Sequence, residues 1–391
     1  MPDTAGLIER PETLAPAPGE PGRVDAFIPT PCVQNHASFL MPLPGGDLGC
    51  VWFGGTQEGV PDISVHFSRL APSATQWSPA ERLSDDPARS EQNPLLFPAP
   101  DGRLWLLWTA QVAGNQDTAM VRRRLSTDGG RSWGAVETLF PEQPGFGTFI
   151  RNPIVVTEGG DWLLPIWRCT KPPVGAWTGD LDTSSVMISS DGGANWTEHP
   201  VPESTGLVHM SLVPLGGPRL VAFFRSRWAD WIYASRSEDG GRCWSAPEPT
   251  SLPNNNSSIQ ATRLADGGIA IVFNDSSAAD ATGRRLSLYD DIGGDEVAPL
   301  TDRSAFWGAP RAPMTVAISD DEGRTWPHRR NLETGDGYCM TNNSKDRLNR
   351  EFSYPSVCET ADGALHISYT YWRQAIKYVR VTAGWVRGAA R

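Results

Sequence analysis

The stretch Ser126-Thr-Asp-Gly-Gly-Arg-Ser-Trp133 follows a β-rich run and recurs three more times, as Ser189 to Trp196, Ser237 to Trp244 and Ser319 to Trp326. All four copies fit Ser-x-Asp-x-Gly-x-x-Trp. A fifth position, Ser68 to Trp77, keeps the serine and the tryptophan only. The pattern describes a tight hairpin: the aspartate accepts bonds from the turn's own backbone, a glycine takes positive φ, and the tryptophan buries its face against a neighbouring unit. A second repeat runs independently of the first. Six apolar runs meet a Gly-rich turn and a further apolar run, at Gly45-Gly46-Asp47, Asp101-Gly102, Glu158-Gly159-Gly160, Gly216-Gly217, Asp266-Gly267-Gly268 and Asp362-Gly363. The first four turns recur about every 57 residues, a period suited to four strands per unit. Six such units predict an all-β, six-bladed propeller with four-stranded antiparallel blades.

Composition agrees. The 391 residues hold 16 Trp, 39 Gly and 34 Pro, as many short strands and turns require. Residues 1–22 read as a loose arm and 23–391 as one propeller domain. The extended segment around Val24 to Pro31 is expected to complete blade six, whose own chain ends after Val381 without a box turn. Blade five carries an insertion, roughly Ala278 to Pro313, and blade three a Pro/Gly/Trp loop from Thr170 to Thr183. The net charge of −11 argues against nucleic acid as a partner. No stretch reaches the apolar length of a membrane span, no basic-then-apolar leader opens the chain, and six scattered cysteines form no C-x-x-C pair. A cytoplasmic protein with reduced thiols is the expectation. No metal or cofactor motif is found, and the oligomeric state is not readable.

Propeller geometry nominates a site. The first strand of each blade lines the channel, so equivalent positions form a ring on one face: His36, Asn93 with Gln92, Arg151 with Asn152, His209, Asn256 with Ser257, and Glu351 to Tyr354. The second strands return to that face and add Glu58, Asp62, Trp108, Arg168, Arg225, Arg227 and Arg373. Tyr354, His36, Asp62, Glu58 and Glu351 are the catalytic candidates. Arg225, Arg151, Arg227, Arg373, Arg168, Asn93, Asn152, His209 and Trp108 are the substrate-binding ones. Arginine suits a carboxylate because it pairs with it bidentately, although Asp230 or Glu238 would equally pair with Arg225.

The repeats, together with Asn35-His-Ala-Ser38, Trp52-Phe-Gly-Gly-Thr-Gln-Glu-Gly59, Glu351-Phe-Ser-Tyr-Pro355 and Tyr369-Thr-Tyr-Trp-Arg373, resemble the Asp-box propellers of the sialidase (neuraminidase) superfamily, in its predicted-neuraminidase branch. The resemblance implies an exo-glycosidase that removes a terminal acidic sugar from an oligosaccharide. Tyr354 stands where that family has its nucleophile, Arg225 where it has a carboxylate-clamping arginine, and Asp62 or Glu58 in the loop of the acid/base. Two family positions differ: His36-Ala-Ser stands where an arginine motif belongs, and His209-Met-Ser where a glutamate belongs. A His/Tyr/Arg/Asn ring also suits β-elimination from a uronate, with His36 or Tyr354 moving the proton, Arg225 and Arg151 balancing the carboxylate, and Asn93 or Asn152 assisting. A glycan-binding propeller without catalysis is the third reading.

Overall fold

The computed structural model describes residues 9–289, 292, 301 and 304–388. Six antiparallel sheets follow one another along the chain, each ordered from the channel outward. Blade one runs Gln34–Pro42, Leu48–Gly55, Ser64–Leu70 and Glu81–Arg82, and blades two to five repeat the order. Blade six takes Phe352–Glu359, Ala364–Tyr371 and Ala375–Thr382 from the C-terminal end and Val24–Ile28 from the N-terminal end, paired from Val24 opposite Arg380 to Ile28 opposite Ile376. The segment before residue 23 adds a two-residue strand, Ala15–Pro16, outside Val24–Ile28, and Thr13 bridges to Gln76 of blade one. Residues 1–8 of the predicted arm, and 290, 291, 293–300, 302 and 303 of the predicted blade-five insertion, lie outside the described residues.

The repeated turns are built as their residue types demand. Ser126 Oγ donates to Asp128 Oδ1 at 2.7 Å and accepts from Gly130 N at 2.8 Å, while Asp128 Oδ1 accepts from Arg131 N and Ser132 N, both at 2.9 Å. The Ser189, Ser237 and Ser319 turns repeat this network. Gly193 shows why one of these positions must be glycine. It sits at φ +83°, and a Cβ there would come within 2.6 Å of Trp105.

The tryptophans of these turns stitch each blade to the one before it. Trp133 of blade two meets Phe67 of blade one, Trp196 of blade three meets Phe140 of blade two, and Trp326 of blade five meets Phe223 of blade four, all edge-on with centroids 6.3, 5.9 and 5.5 Å apart. Trp77 closes the circle from blade one onto Tyr378 of blade six. Blade six has no such turn, and its chain does not stop at the last strand. The short helix Ala383–Arg387, capped by Thr382 Oγ1 accepting from Trp385 N, turns Trp385 into the core that blade six shares with Val316, Ile318 and Leu332 of blade five. Trp385 therefore does in blade six what the turn tryptophans do elsewhere, with the Arg330 guanidinium 3.8 Å from its ring. Truncation of a buried tryptophan costs about 3–5 kcal/mol. Trp385→Ala is expected to lower the urea midpoint correspondingly; a loss under about 1 kcal/mol would mean the helix does not hold the last blade interface.

Candidate active site

The inner strands of five blades lose their regular pairing at equivalent positions, and that of blade five begins only beyond them. Their pairing slips between His36 and Phe39 in blade one, Gln92 and Leu95 in blade two, Val208 and Ser211 in blade four, and Ser353 and Ser356 in blade six. Within each slip one side-chain-bearing residue takes left-handed φ: Ala37 (58°), Asn93 (50°), His209 (52°) and Tyr354 (51°). Blade three interrupts its strand between Phe146–Ile150 and Val155–Val156, and blade five places left-handed Asn256 (φ 56°) ahead of Gln260–Arg263. A bulge re-aims a side chain, and the left-handed conformation costs about 1–2 kcal/mol at a residue other than glycine. Strain of this kind gathers where side chains are held for a purpose other than pairing, and here it recurs around one ring.

Arg225 lies at the centre of what these breaks gather. Its Nε donates to Asn256 Oδ1 at 2.8 Å, and its Nη1 donates to His209 Nε2 at 3.1 Å and to Tyr354 Oη at 2.8 Å. A guanidinium has five N–H bonds. Three are engaged, and Nη2, which carries the other two, is buried without a hydrogen-bond partner among the described residues. Asp230 and Glu238 do not approach it: Asp230 binds Trp231 N and Tyr233, and Glu238 faces Arg219. Burial lowers the Arg225 pKa to about 9, with the Tyr354 oxygen opposing the shift, so the group stays cationic at neutral pH.

The other candidate arginines are spent. Arg151, 2% exposed, spans the channel and donates to the carbonyls of Ala37, Ser38, Tyr354 and Pro355 at 2.9 to 3.3 Å. It ties blades one and six together and has no free face for a substrate. Arg227 is paired with buried Asp182 at 2.6 Å, between Trp177 and Trp307. Arg373 donates to Glu58 at 2.6 Å and to Glu351 at 3.0 Å. Arg168 is taken up within blade three: its guanidinium lies over Phe146 and donates to Thr148 of the inner strand and to Glu198 of the outer strand. Trp108 is a core residue: its Nε1 donates to Glu91 at 2.8 Å, and no face is left for a sugar.

The carboxylates divide in the same way. Glu58, 3% exposed, reaches the cluster through Arg373, whereas Asp62 is exposed and accepts from Thr56 N, outside it. Glu351 Oε1 accepts from Arg311, Arg373 and Ser353, while Oε2 has no partner among the described residues. Burial pushes the Glu351 carboxyl up, but Arg373 and Arg311 outweigh it and hold it below the ordinary carboxylate range. Arg311, whose guanidinium lies 5.7 Å from the Tyr354 ring, escaped the sequence reading because it sits in the blade-five insertion, outside any repeat. Asn152 is a support, donating to the His209 carbonyl at 2.6 Å, and Asn93 stands at the blade-two bulge.

Two histidines flank Tyr354. The His36 ring lies 4.3 Å from the Tyr354 ring; its Nδ1 meets Thr370 Oγ1 at 2.8 Å, and its Nε2 has no partner among the described residues. The His209 ring lies 5.5 Å from Tyr354 and is backed by Trp167 at 4.2 Å. Burial first, and then the surrounding arginines, hold both well below the ordinary 6.5, so both are neutral at pH 7. Buried His66 and His366 are likewise lowered, each to about 4 and chiefly by burial. Unfolded histidines take up protons as pH falls through 6.5 while these four resist, so the native state loses up to about 1.4 kcal/mol per pH unit for each. The urea midpoint is therefore expected to fall steadily between pH 6.5 and 5; a flat profile there would show that these rings protonate freely in the fold.

The comparisons with known proteins agree with this architecture. No curated protein matches the sequence. The solved structures it resembles include a Hadza microbial sialidase, Hz136 (14% identity, TM-score 0.67, covering 91% of this chain and 67% of that one). A Dyadobacter fermentans protein of unknown function follows at 17% identity and TM-score 0.66, covering 93% and 99%. The intramolecular trans-sialidase of Ruminococcus gnavus has 12% identity and TM-score 0.65, covering 90% and 95%. These likenesses show the fold. The family of the BNR repeat-like domain matches residues 46–367, most of the chain, and the protein belongs to that family, on the six-bladed propeller seen in sialidases.

Proposed function

We propose that this protein cleaves the glycosidic bond of a terminal acidic sugar in an oligosaccharide, as a sialidase-type hydrolase with Arg225 as the carboxylate anchor and Tyr354 as the nucleophile. One observation carries the reading: a cationic guanidinium is held against the Tyr354 hydroxyl by Asn256 and His209, and its two remaining N–H bonds sit on one nitrogen that has no acceptor among the described residues. A buried charge without a counter-charge is unfavourable by several kcal/mol. An anionic ligand supplies the missing partner, and a carboxylate matches it in charge and shape. The likeness in fold to sialidases supports the same chemistry.

In the hydrolytic course the sugar carboxylate docks on Arg225 Nη2. The Tyr354 hydroxyl gives its proton to His36 Nε2, whose ring lies beside it, as its oxygen, accepting from Arg225 Nη1, bonds to the anomeric carbon. The bond to the leaving oxygen breaks, and that oxygen takes a proton from the blade-one loop, whose Glu58 is the carboxyl that reaches the cluster. Water then releases the sugar. A second reading, β-elimination from a uronate, is favoured by a specific feature: Arg373 and Arg311 hold Glu351 ionised, while His36 is neutral and its Nε2, beside Tyr354, has no partner among the described residues. His36 or Tyr354 would take the proton from the carbon beside the carboxylate, the bond from the next carbon to the leaving oxygen would break, and that oxygen would take a proton from the other of the two, with no water consumed.

Mass spectrometry of products from sialylated oligosaccharides, uronate-terminated ones and ones with a 4-O-substituted uronate tests the proposal. Hydrolysis adds one water to the summed product mass, and Tyr354→Phe is expected to reduce turnover at least about a thousandfold while leaving substrate binding in place. An unsaturated uronate with no added water would replace hydrolysis by the second reading. Binding without cleavage by the wild-type protein would overturn both.

A further inference from the structure

The Asn-Ser run that opens blade five, Asn254-Asn-Asn-Ser-Ser258, forms no strand, and each of its side chains is buried. Asn254 Oδ1 accepts from Ser226 N and Asn256 N, and Asn255 Nδ2 donates to Pro310 O, so the first two asparagines fix the run itself. Asn256 faces the site through Arg225 Nε. Ser258 Oγ lies 3.0 Å from His209 Nδ1 and 3.3 Å from Arg151 Nε.

The tautomer of His209 follows by elimination. Arg225 Nη1 can only donate, so the His209 Nε2 it meets at 3.1 Å must be a bare acceptor. A neutral ring with bare Nε2 carries its proton on Nδ1, and the atom in reach of that proton is Ser258 Oγ. The opposite tautomer would set an N–H of the ring against an N–H of Arg225. We infer that Ser258 is a positioning residue: by accepting the Nδ1 proton it holds His209 in the Nδ1–H form, which makes Nε2 the acceptor that orients Arg225 Nη1 and leaves Nη2 for the ligand's carboxylate. This deepens the reading of Arg225 as the anchor and rests on it.

The test has one readout on the histidine and one on the ligand. In protein labelled with ¹⁵N-histidine, with His209→Asn supplying the assignment, the wild-type ring is expected to show a protonated Nδ1 and an unprotonated Nε2 at neutral pH. Ser258→Ala is expected to give a mixture of tautomers and to weaken calorimetric binding of glucuronate or N-acetylneuraminate about tenfold, and Ser258→Thr, which keeps the hydroxyl, is expected to restore both. A wild-type ring protonated on Nε2, or a Ser258→Ala ring whose spectrum and affinity are unchanged, overturns the role of Ser258. If the tautomer depends on Ser258 as stated while neither acid binds any variant, Ser258 positions His209 and the acidic-sugar reading is what fails.

Discussion

Arg225 is a desolvated cation held by an amide, an imidazole and a phenol, and the organisation of the channel mouth follows from keeping it so. Every other buried arginine around it has been matched: Arg227 by Asp182, Arg373 and Arg311 by Glu58 and Glu351, and Arg151 by four backbone carbonyls. Those pairings engage Asp182, Glu58 and Glu351 with other arginines and leave Arg225 its neutral partners. A charge in such surroundings acts more strongly on an incoming anion than it would in water.

The ring supplies the rigidity this requires. Six inner strands converge on one channel, and five of them interrupt their ladder where the site begins while that of blade five starts beyond it, so backbone that would otherwise pair with a neighbour turns side chains inward. The strain of left-handed Tyr354 and His209 persists because the bulges sit between well-paired strand segments and because Arg151 bonds the Tyr354 and Pro355 carbonyls directly. Farther out, the tryptophans of successive blades, and Trp385 in the last, keep the blades from rotating against one another. Stability and site geometry are thus coupled through the same inter-blade contacts.

Much of the fold was legible because its signals are local. A Ser-x-Asp-x-Gly-x-x-Trp turn satisfies itself within eight residues, so its four copies announce their geometry directly. The site was legible only as a ring of positions. Tyr354, His36, His209, Arg225, Glu58 and Glu351 do come together, but which arginine keeps its charge depends on partners far apart in the chain, such as Arg151 with Tyr354 or Arg373 with Glu58, and only ring closure brings them into contact. Arg168 is likewise taken up by partners that the repeats do not mark, Glu198 on the outer strand and Thr148 on the inner one. Arg311 and Trp385 carried no signal, one lying in an insertion and the other in a helix that replaces a missing turn.

Calorimetric titration with an acidic sugar and with its neutral methyl ester, which keeps the shape and removes the charge, bears most directly on the uncompensated charge of Arg225. The wild-type protein should bind glucuronate or N-acetylneuraminate at least about tenfold more tightly than the ester, the difference expected for a charge-assisted hydrogen bond, and Arg225→Met should abolish that preference. Equal affinity of the wild-type protein for acid and ester would contradict the account.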